Sequence, residues 1–284
     1  MKRLVVLLIM VFVVALAGCD KGKQSTAPTQ LGKVVTTAAY EKYFGAAPPV
    51  DKGTAYAFVI YFPSSKEMGK VVPFPFFTFD EGSLKKVAVE RLLSGMDIGS
   101  YQGEFLSVAS GTRLLSLKDD QGIVTLSFSK ELNAANSDDF ARALNLTLHQ
   151  FKGVKDIRFQ VDGKDVPLTA SANGSEDGTV QQPTPPRLLS VTAMRDKGAS
   201  NVEDVNVFFD RPVDVKELKL FSKDGKPYEG DIYHSVFDMA AVLKPKDSSH
   251  FKERLPIRVH WKVVDKLGRQ AEGDNVWLLE VKEH

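Results

Sequence analysis

The chain has 284 residues, of which 43% are hydrophobic and 26% charged. That balance excludes a mostly disordered chain, a collagen-like repeat and a polytopic membrane protein. The formal charge of +1 leaves no global basic field of the kind nucleic-acid binding uses, and at about 150 residues per domain the length predicts two domains.

Lys2 and Arg3 open the chain as a short positive stretch, and Leu4 to Leu16 follows as an uncharged apolar run. The run has the length of a signal-peptide core and falls short of the roughly 20 residues that span a bilayer. Leu16-Ala17-Gly18-Cys19 then matches the lipobox of bacterial lipoproteins. Small residues fit the peptidase subsites, and the Cys19 thiol accepts a diacylglyceryl group. Cys19 is the sole cysteine, so neither an intramolecular disulfide nor a multi-cysteine zinc site can form. Residues 1–18 are therefore expected to be a signal peptide, with lipidation at Cys19. Two or three acyl chains there would anchor the protein stably. Asp20, directly after the cysteine, resembles the inner-membrane sorting signal of enteric bacteria. Residues 19–53 are polar and small-rich and read as a flexible tether, with a short helix over Ala38–Phe44 that Pro48-Pro49 would end.

A first folded segment is expected over 54–169. Ala55 to Phe62 is nearly all apolar, as in a strand buried on both faces. Val71 to Phe79 carries Phe74, Phe76, Phe77 and Phe79, while Pro73 and Pro75 argue against a central strand. Those four rings either fill the core or form a partner interface. Ser83 is placed to cap a helix with Leu84, Val87, Ala88, Leu92 and Leu93 on its apolar stripe, stopping at Ser94-Gly95. Thr112–Lys118 and Ile123–Phe128 read as a hairpin joined by Asp119-Asp120-Gln121-Gly122. Asn136 or Ser137 caps a second helix bearing Phe140, Leu144, Leu148 and Phe151, with Gly153 as its C′ residue. Ile157, Phe159 and Val161 alternate as a half-buried strand.

Residues 170–185 carry Ser, Asn, Gly, Glu, Asp and Gln, and Pro183-Thr184-Pro185-Pro186 ends the stretch, which predicts an interdomain linker. From 186 to 284 the pattern is strands without helices. Val205, Val207 and Phe209 alternate, as do Ile257, Val259, Trp261 and Val263, with turn signals at Lys223-Asp224-Gly225 and Asp265-Lys266-Leu267-Gly268. Short strands with regular turns predict a β-sandwich.

Five motifs in order carry a family resemblance. They are Val59-Ile60-Tyr61-Phe62-Pro63, Ala88-Val89-Glu90-Arg91-Leu92-Leu93-Ser94-Gly95, Gly111-Thr112-Arg113-Leu114-Leu115, Gly122 to Ser129, and Thr147-Leu148-His149-Gln150-Phe151 with Gly153-Val154. Val161-Asp162-Gly163 ends the fifth. Together they resemble the GerMN domain family over about 110 residues. Family members often follow the first strand with a Val-Pro-Val-type strand and an arginine; here Val71 to Phe79 has no arginine, so that residue's role does not carry over. Val205 to Asp214 and Val264-Asp265-Lys266-Leu267-Gly268 before Trp277 are similar to a bacterial Ig-like domain of the surface-layer type. The resemblance implies an α+β chain: a GerMN-type α/β domain with a mixed sheet and two helices, then an all-β Ig-like sandwich. It also implies a role without catalysis in the cell envelope.

Motifs for chemistry are missing from the sequence. There is no G-x-S-x-G, P-loop, G-x-G-x-x-G or H-E-x-x-H. His149, His234, His250, His260 and His284 show no i, i+3 or i+4 pairing that would suit zinc. His149 is expected on a helix surface and His260 on the exposed strand face opposite Trp261. Asn173 to Gly178 begins like a calcium loop, but Thr184 stands where the bidentate glutamate belongs. The carboxylate pairs Asp119–Asp120 and Asp138–Asp139 fall at turn and cap positions that favour aspartate for backbone reasons. The expectation is thus a non-enzymatic lipoprotein with no cofactor and no metal, facing the extracytoplasmic side and bound to the membrane through Cys19. It would act as scaffold or adaptor toward an envelope protein. Peptidoglycan or another glycan as ligand is the alternative, and a hydrolase with dispersed carboxylates stands behind both.

Overall fold

In a computed structural model, residues 32–107, 111–134, 137–166 and 178–283 are described. The strand expected at the start of the first segment is β2, Thr54–Pro63, and every residue from Ala57 to Pro63 is buried. It lies between β1 (Lys33–Thr36), which it pairs in parallel, and β3 (Val71–Thr78), which it pairs antiparallel. The helix α1 (Ala38–Phe44) follows β1; Thr37 Oγ1 accepts from the Tyr40 N–H at 3.2 Å and Gly45 ends the helix. A second sheet runs in the order β4 (Leu114–Asp120), β5 (Ile123–Phe128), β6 (Asp156–Val161), β7 (Lys164–Val166), with β5 and β6 parallel. Two helices, α2 (Leu84–Ser94) and α3 (Ser137–His149), pack against both sheets in one core that joins Phe58, Ile60, Leu92, Leu126, Phe128, Leu144 and Leu148.

Beyond Ala57, β1 no longer accompanies β2, and the end of α3 takes its place. The Val59 N–H donates to Gln150 Oε1 at 2.8 Å, Gln150 Nε2 donates to the Val59 carbonyl at 2.5 Å, and the Tyr61 N–H donates to Thr147 Oγ1 at 3.2 Å. Two side chains of the Thr147–Phe151 motif thus satisfy a strand edge that would otherwise be buried without partners.

The C-terminal strands are β8 (Leu188–Arg195), β9 (Asp204–Phe209), β10 (Val213–Phe221), β11 (Gly230–His234), β12 (Ala240–Pro245), β13 (Pro256–Asp265), β14 (Gln270–Leu278) and β15 (Glu280–Glu283). They form a five-stranded sheet, β11-β12-β9-β8-β15, and a three-stranded sheet, β10-β13-β14. Val191, Val207, Phe209 and Leu243 from the first and Leu220, Ile257, Val259 and Val263 from the second share one core, as the alternating pattern predicted.

Four expectations need correction. The stretch 19–53 is not a tether throughout: the helix expected over Ala38–Phe44 is there, but a strand, Lys33–Thr36, precedes it, and Tyr40, Tyr43 and Phe44 bury the segment in the N-terminal core. The N-terminal region holds two small mixed sheets and three helices rather than one sheet and two helices. The second half of the expected linker pairs with β3, since the Val71 N–H donates to the Thr179 carbonyl at 3.0 Å and the Gln181 N–H to the Val71 carbonyl at 2.9 Å. Gly153 is not the residue after α3, which stops at His149; it sits in the following turn with φ 92°.

Residues 31–284 form one compact unit, and a buried ionic network joins its two regions. Asp210 accepts from Arg211 Nε at 3.0 Å and Nη2 at 2.8 Å, from the Tyr101 hydroxyl at 2.7 Å and from the Arg187 N–H at 3.1 Å. Arg211 Nη1 also donates to the Thr184 carbonyl at 2.7 Å. Burial first, and then the Asp210 charge, push the Tyr101 phenol far up, so it remains a donor. Arg269 Nη2 donates to the Tyr43 carbonyl at 2.9 Å and Nη1 to the Pro183 carbonyl at 3.2 Å. Gly99 makes the closest approach: with φ +53°, a Cβ there would stand 1.8 Å from the Leu189 carbonyl oxygen.

Candidate functional site

A cleft of about 1010 Å³ lies in the N-terminal region. The buried residues Ala57, Phe58 and Phe151 are among those that line it. Val35–Ala38, at the end of β1, line one part of it and Leu114–Leu117, in β4, another, with the first turn of α2 between them in sequence. Both β1 and β4 end their sheets, so each has one neighbour and one open edge. In β1 the N–H groups of Lys33 and of the adjoining Thr37 donate toward β2. Strand alternation therefore turns the backbone groups of Val34 and Thr36 to the open side.

Two large apolar side chains in this groove face solvent: Val35 is 37% exposed and Leu115 is 56% exposed. Two of the carboxylates around them are engaged. Lys85 Nζ lies 2.9 Å from Asp119 Oδ2, and the Gly122 N–H donates to Asp119 Oδ1 at 3.0 Å. The Lys85 hydrogen bond holds the Asp119 carboxyl below the usual aspartate range. Glu81 accepts from the Tyr56 phenol, whose titration that bond raises. No histidine or cysteine is among the residues that line the groove. What the arrangement offers is contact: two open strand edges with apolar side chains beside them.

The four phenylalanines of 74–79 are dispersed by the fold. β3 is an edge strand, as its prolines predicted. Pro73 and Pro75 share the orientation of Val71, whose N–H points away from β2, so the missing donors fall on the outer side. Phe74 is 5% exposed and packs edge-on against Tyr101 at 5.0 Å, which removes it from any partner surface. Phe76 lies half-buried against Phe58, with the Arg91 guanidinium 5.0 Å over its ring. Phe77 stacks on Phe237 of the sandwich region at 4.3 Å and 11°. Phe79 remains 55% exposed and leans on the same ring at 5.4 Å. Phe77 and Phe79 therefore meet this chain's own C-terminal region.

Cys19 and Asp20 lie outside the described residues, as does most of the Asn173–Gly178 stretch. His149 is exposed on α3, with Nδ1 3.0 Å from the Asn145 carbonyl. His260 is not simply exposed; it stands 3.5 Å from Asp274 and 3.7 Å from Glu217 across β14 and β10. Asp139 pairs with Arg142 at 2.8 Å. Among the described residues no group of three or more His, Cys, Asp or Glu is arranged to hold a metal, and no helix is long and apolar enough to cross a membrane. The groove itself escaped sequence reading, because the parallel pairing that puts β1 at a sheet edge has no local signature.

No curated protein matches the chain. Among solved structures, the tandem GerMN domains of the sporulation protein GerM from Bacillus subtilis are similar at 15% identity, covering 61% of this chain and 58% of that one with a TM-score of 0.34. The first GerMN domain of the same protein is similar at 19% identity, covering 39% of this chain and 85% of that one with a TM-score of 0.32. PcoC, a methionine-rich copper resistance protein from Escherichia coli, is similar at 17% identity over 34% of this chain and all of that one, with a TM-score of 0.26. Residues 59–167, rather more than a third of the chain, match the model of the Germane family, described as sporulation and spore germination, and this is the region in which the ordered motifs resemble GerMN domains.

Proposed function

We propose that the protein is a non-catalytic lipoprotein of the bacterial cell envelope, held at the extracytoplasmic face of a membrane through Cys19 and acting as an adaptor for an envelope protein. Asp20 would direct its sorting in an enteric host. The C-terminal sandwich is read as the Ig-like module of the surface-layer type. The family match over 59–167, described as sporulation and spore germination, supports a non-enzymatic role. The observation that carries the reading is the groove: two open strand edges, Val35 and Leu115 exposed within it, and its Asp119 and Glu81 carboxylates already engaged by Lys85 and Tyr56. An extended segment of a partner can pair with such an edge through its backbone and seat alternate side chains on the apolar wall.

A photo-crosslinking amino acid placed at Leu115 in living cells tests this. A discrete crosslinked protein is expected, lost when Val35 is changed to Lys in a variant that still folds. Crosslinks from Phe79 with none from Leu115 would refute the groove and return the partner surface to the phenylalanine strand.

A further inference from the structure

A second opening lies at the sandwich, apart from the groove. A crevice of about 540 Å³ lies where β14 borders the start of β8, lined among others by Ser100, Leu188, Trp261, Ala271, Asn275 and Trp277. Its origin is in the register. Along β14, Ala271, Gly273, Asn275 and Trp277 stand opposite Val263, Trp261, Val259 and Ile257 of β13. Those four β13 residues are buried. Their β14 partners are half-exposed or exposed, and β14 is the last strand of its sheet.

Three residues of this lining carry a buried polar atom without a partner: Ser100 Oγ, Trp261 Nε1 and Trp277 Nε1. Native folds rarely leave such groups unpaired. Trp261 is only 6% exposed, and its indole lies directly under Gly273, where a Cβ would stand 2.6 Å from Nε1. Any larger residue at 273 would displace the ring.

The chemistry of the lining selects its ligand class. Two indole N–H groups and a hydroxyl call for oxygen acceptors, and Asn275 adds an amide at the mouth. The indole rings, Leu188 and Ala271 call for C–H surface. The nearby charges are engaged: Arg187 donates to Glu104 at 3.0 Å, and Lys262 lies 3.6 Å from Glu272, so neither an anion nor a cation is favoured. A pyranose ring presents a C–H face and a rim of oxygen acceptors without charge. We propose that this crevice binds a neutral saccharide, with the half-exposed Trp277 ring supplying the stacking surface and the indole N–H groups the donors. The site is separate from the groove proposed for the protein partner.

The test is built into the composition, because Trp261 and Trp277 are the only tryptophans in the chain. Emission excited at the indole band therefore reports this crevice alone. The full-length protein in detergent is titrated with chitotetraose and with cellotetraose, and saturation-transfer difference NMR on the same samples decides binding if emission stays silent. Saturable binding of either sugar is expected; binding of chitotetraose alone would mean that the acetamido group is read, and binding of both that the ring suffices. Ser100→Ala and Trp277→Phe, with unchanged circular dichroism, should each weaken binding by about 3- to 10-fold, while Leu115→Asp in the groove should leave it unchanged. No saturable binding by either method overturns the proposal, as does binding that both crevice variants leave intact. Loss of Leu115 crosslinks would bear on the adaptor reading and not on this one.

Discussion

Replacing Arg211 by Met should unlock the two regions of the chain. The Arg211 side chain is 4% exposed, and the carboxylates of Asp210 and Asp265 that it faces are 0% and 2% exposed. Removing one partner of a buried ion pair costs about 3–5 kcal/mol, chiefly because it strands the other charge. Asp265 would keep Arg269 at 2.5 Å and the N–H groups of Leu267 and Arg269. Asp210 would keep the Tyr101 hydroxyl and the Arg187 N–H. Neither carboxylate is fully orphaned, so the cost should fall near the lower end, about 3 kcal/mol. For a unit of this size that corresponds to a drop of roughly 6–12 °C in Tm. Urea unfolding at pH 7 gives the assay, followed by tryptophan emission, which sees the sandwich only, and by far-ultraviolet circular dichroism, which sees the whole chain. The two curves should coincide in the wild type and separate in Arg211→Met. Adding Asp210→Asn removes the stranded charge but keeps an acceptor for Tyr101, so the double variant should be more stable than Arg211→Met alone. A cost below about 1 kcal/mol, or a double variant less stable than the single one, would refute the network as the joint between the regions.

Gly99→Ala should destabilise by more than about 2 kcal/mol, since strain at positive φ adds to a collision with the Leu189 carbonyl; a calorimetric Tm unchanged within error would contradict this. A double-mutant cycle on Phe77→Ala and Phe237→Ala should give a coupling of about 0.5–1.5 kcal/mol, the range for stacked rings, and a zero coupling would mean the stack is incidental. The Lys85 bond lowers the folded-state titration of Asp119 below its ordinary 3.8, so its stabilisation is complete above that value and is lost as pH falls through the folded-state value. Wild type should therefore exceed Lys85→Met in stability at pH 7, with the gap closing below about pH 3.8; a gap that widens in acid would reverse the sign and the assignment.

Elements whose burial is periodic along the chain were legible. The α3 stripe of Phe140, Leu144 and Leu148, the hairpin around Gln121-Gly122 and the alternation of β13 all stand where the sequence pattern put them. Ser83 precedes α2 as expected, yet its hydroxyl donates to Asp80 Oδ2 at 2.5 Å and makes no bond to the helix. What stayed hidden depends on distant pairing. Lys33–Thr36 is four residues long and half-exposed, and its place beside β2 comes from a parallel register that no local turn announces. Asp210-Arg211 reads as a polar loop, and only the fold brings Tyr101 and Thr184 to it. Val180 sits in a stretch of linker composition but pairs with Val71 across more than a hundred residues. The groove and the tryptophan crevice are both edge phenomena: each exists because a sheet stops, and a sequence pattern marks strands far better than it marks which strand is last.

The early start of the fold fixes a length. With the anchor at Cys19, as proposed, only the stretch up to Gly32 separates the lipid from the first strand, since Gly32 is already tied to Val50 by a 2.9 Å hydrogen bond. A fully stretched chain gains at most about 3.3–3.6 Å per residue, so this leash extends no farther than about 45 Å. A tether running to residue 53 would have had more than twice that span. The groove, bordered by the very strand the leash feeds, would be kept within a thin shell above the bilayer, and the partners it could meet would be those that reside in or reach down to that shell.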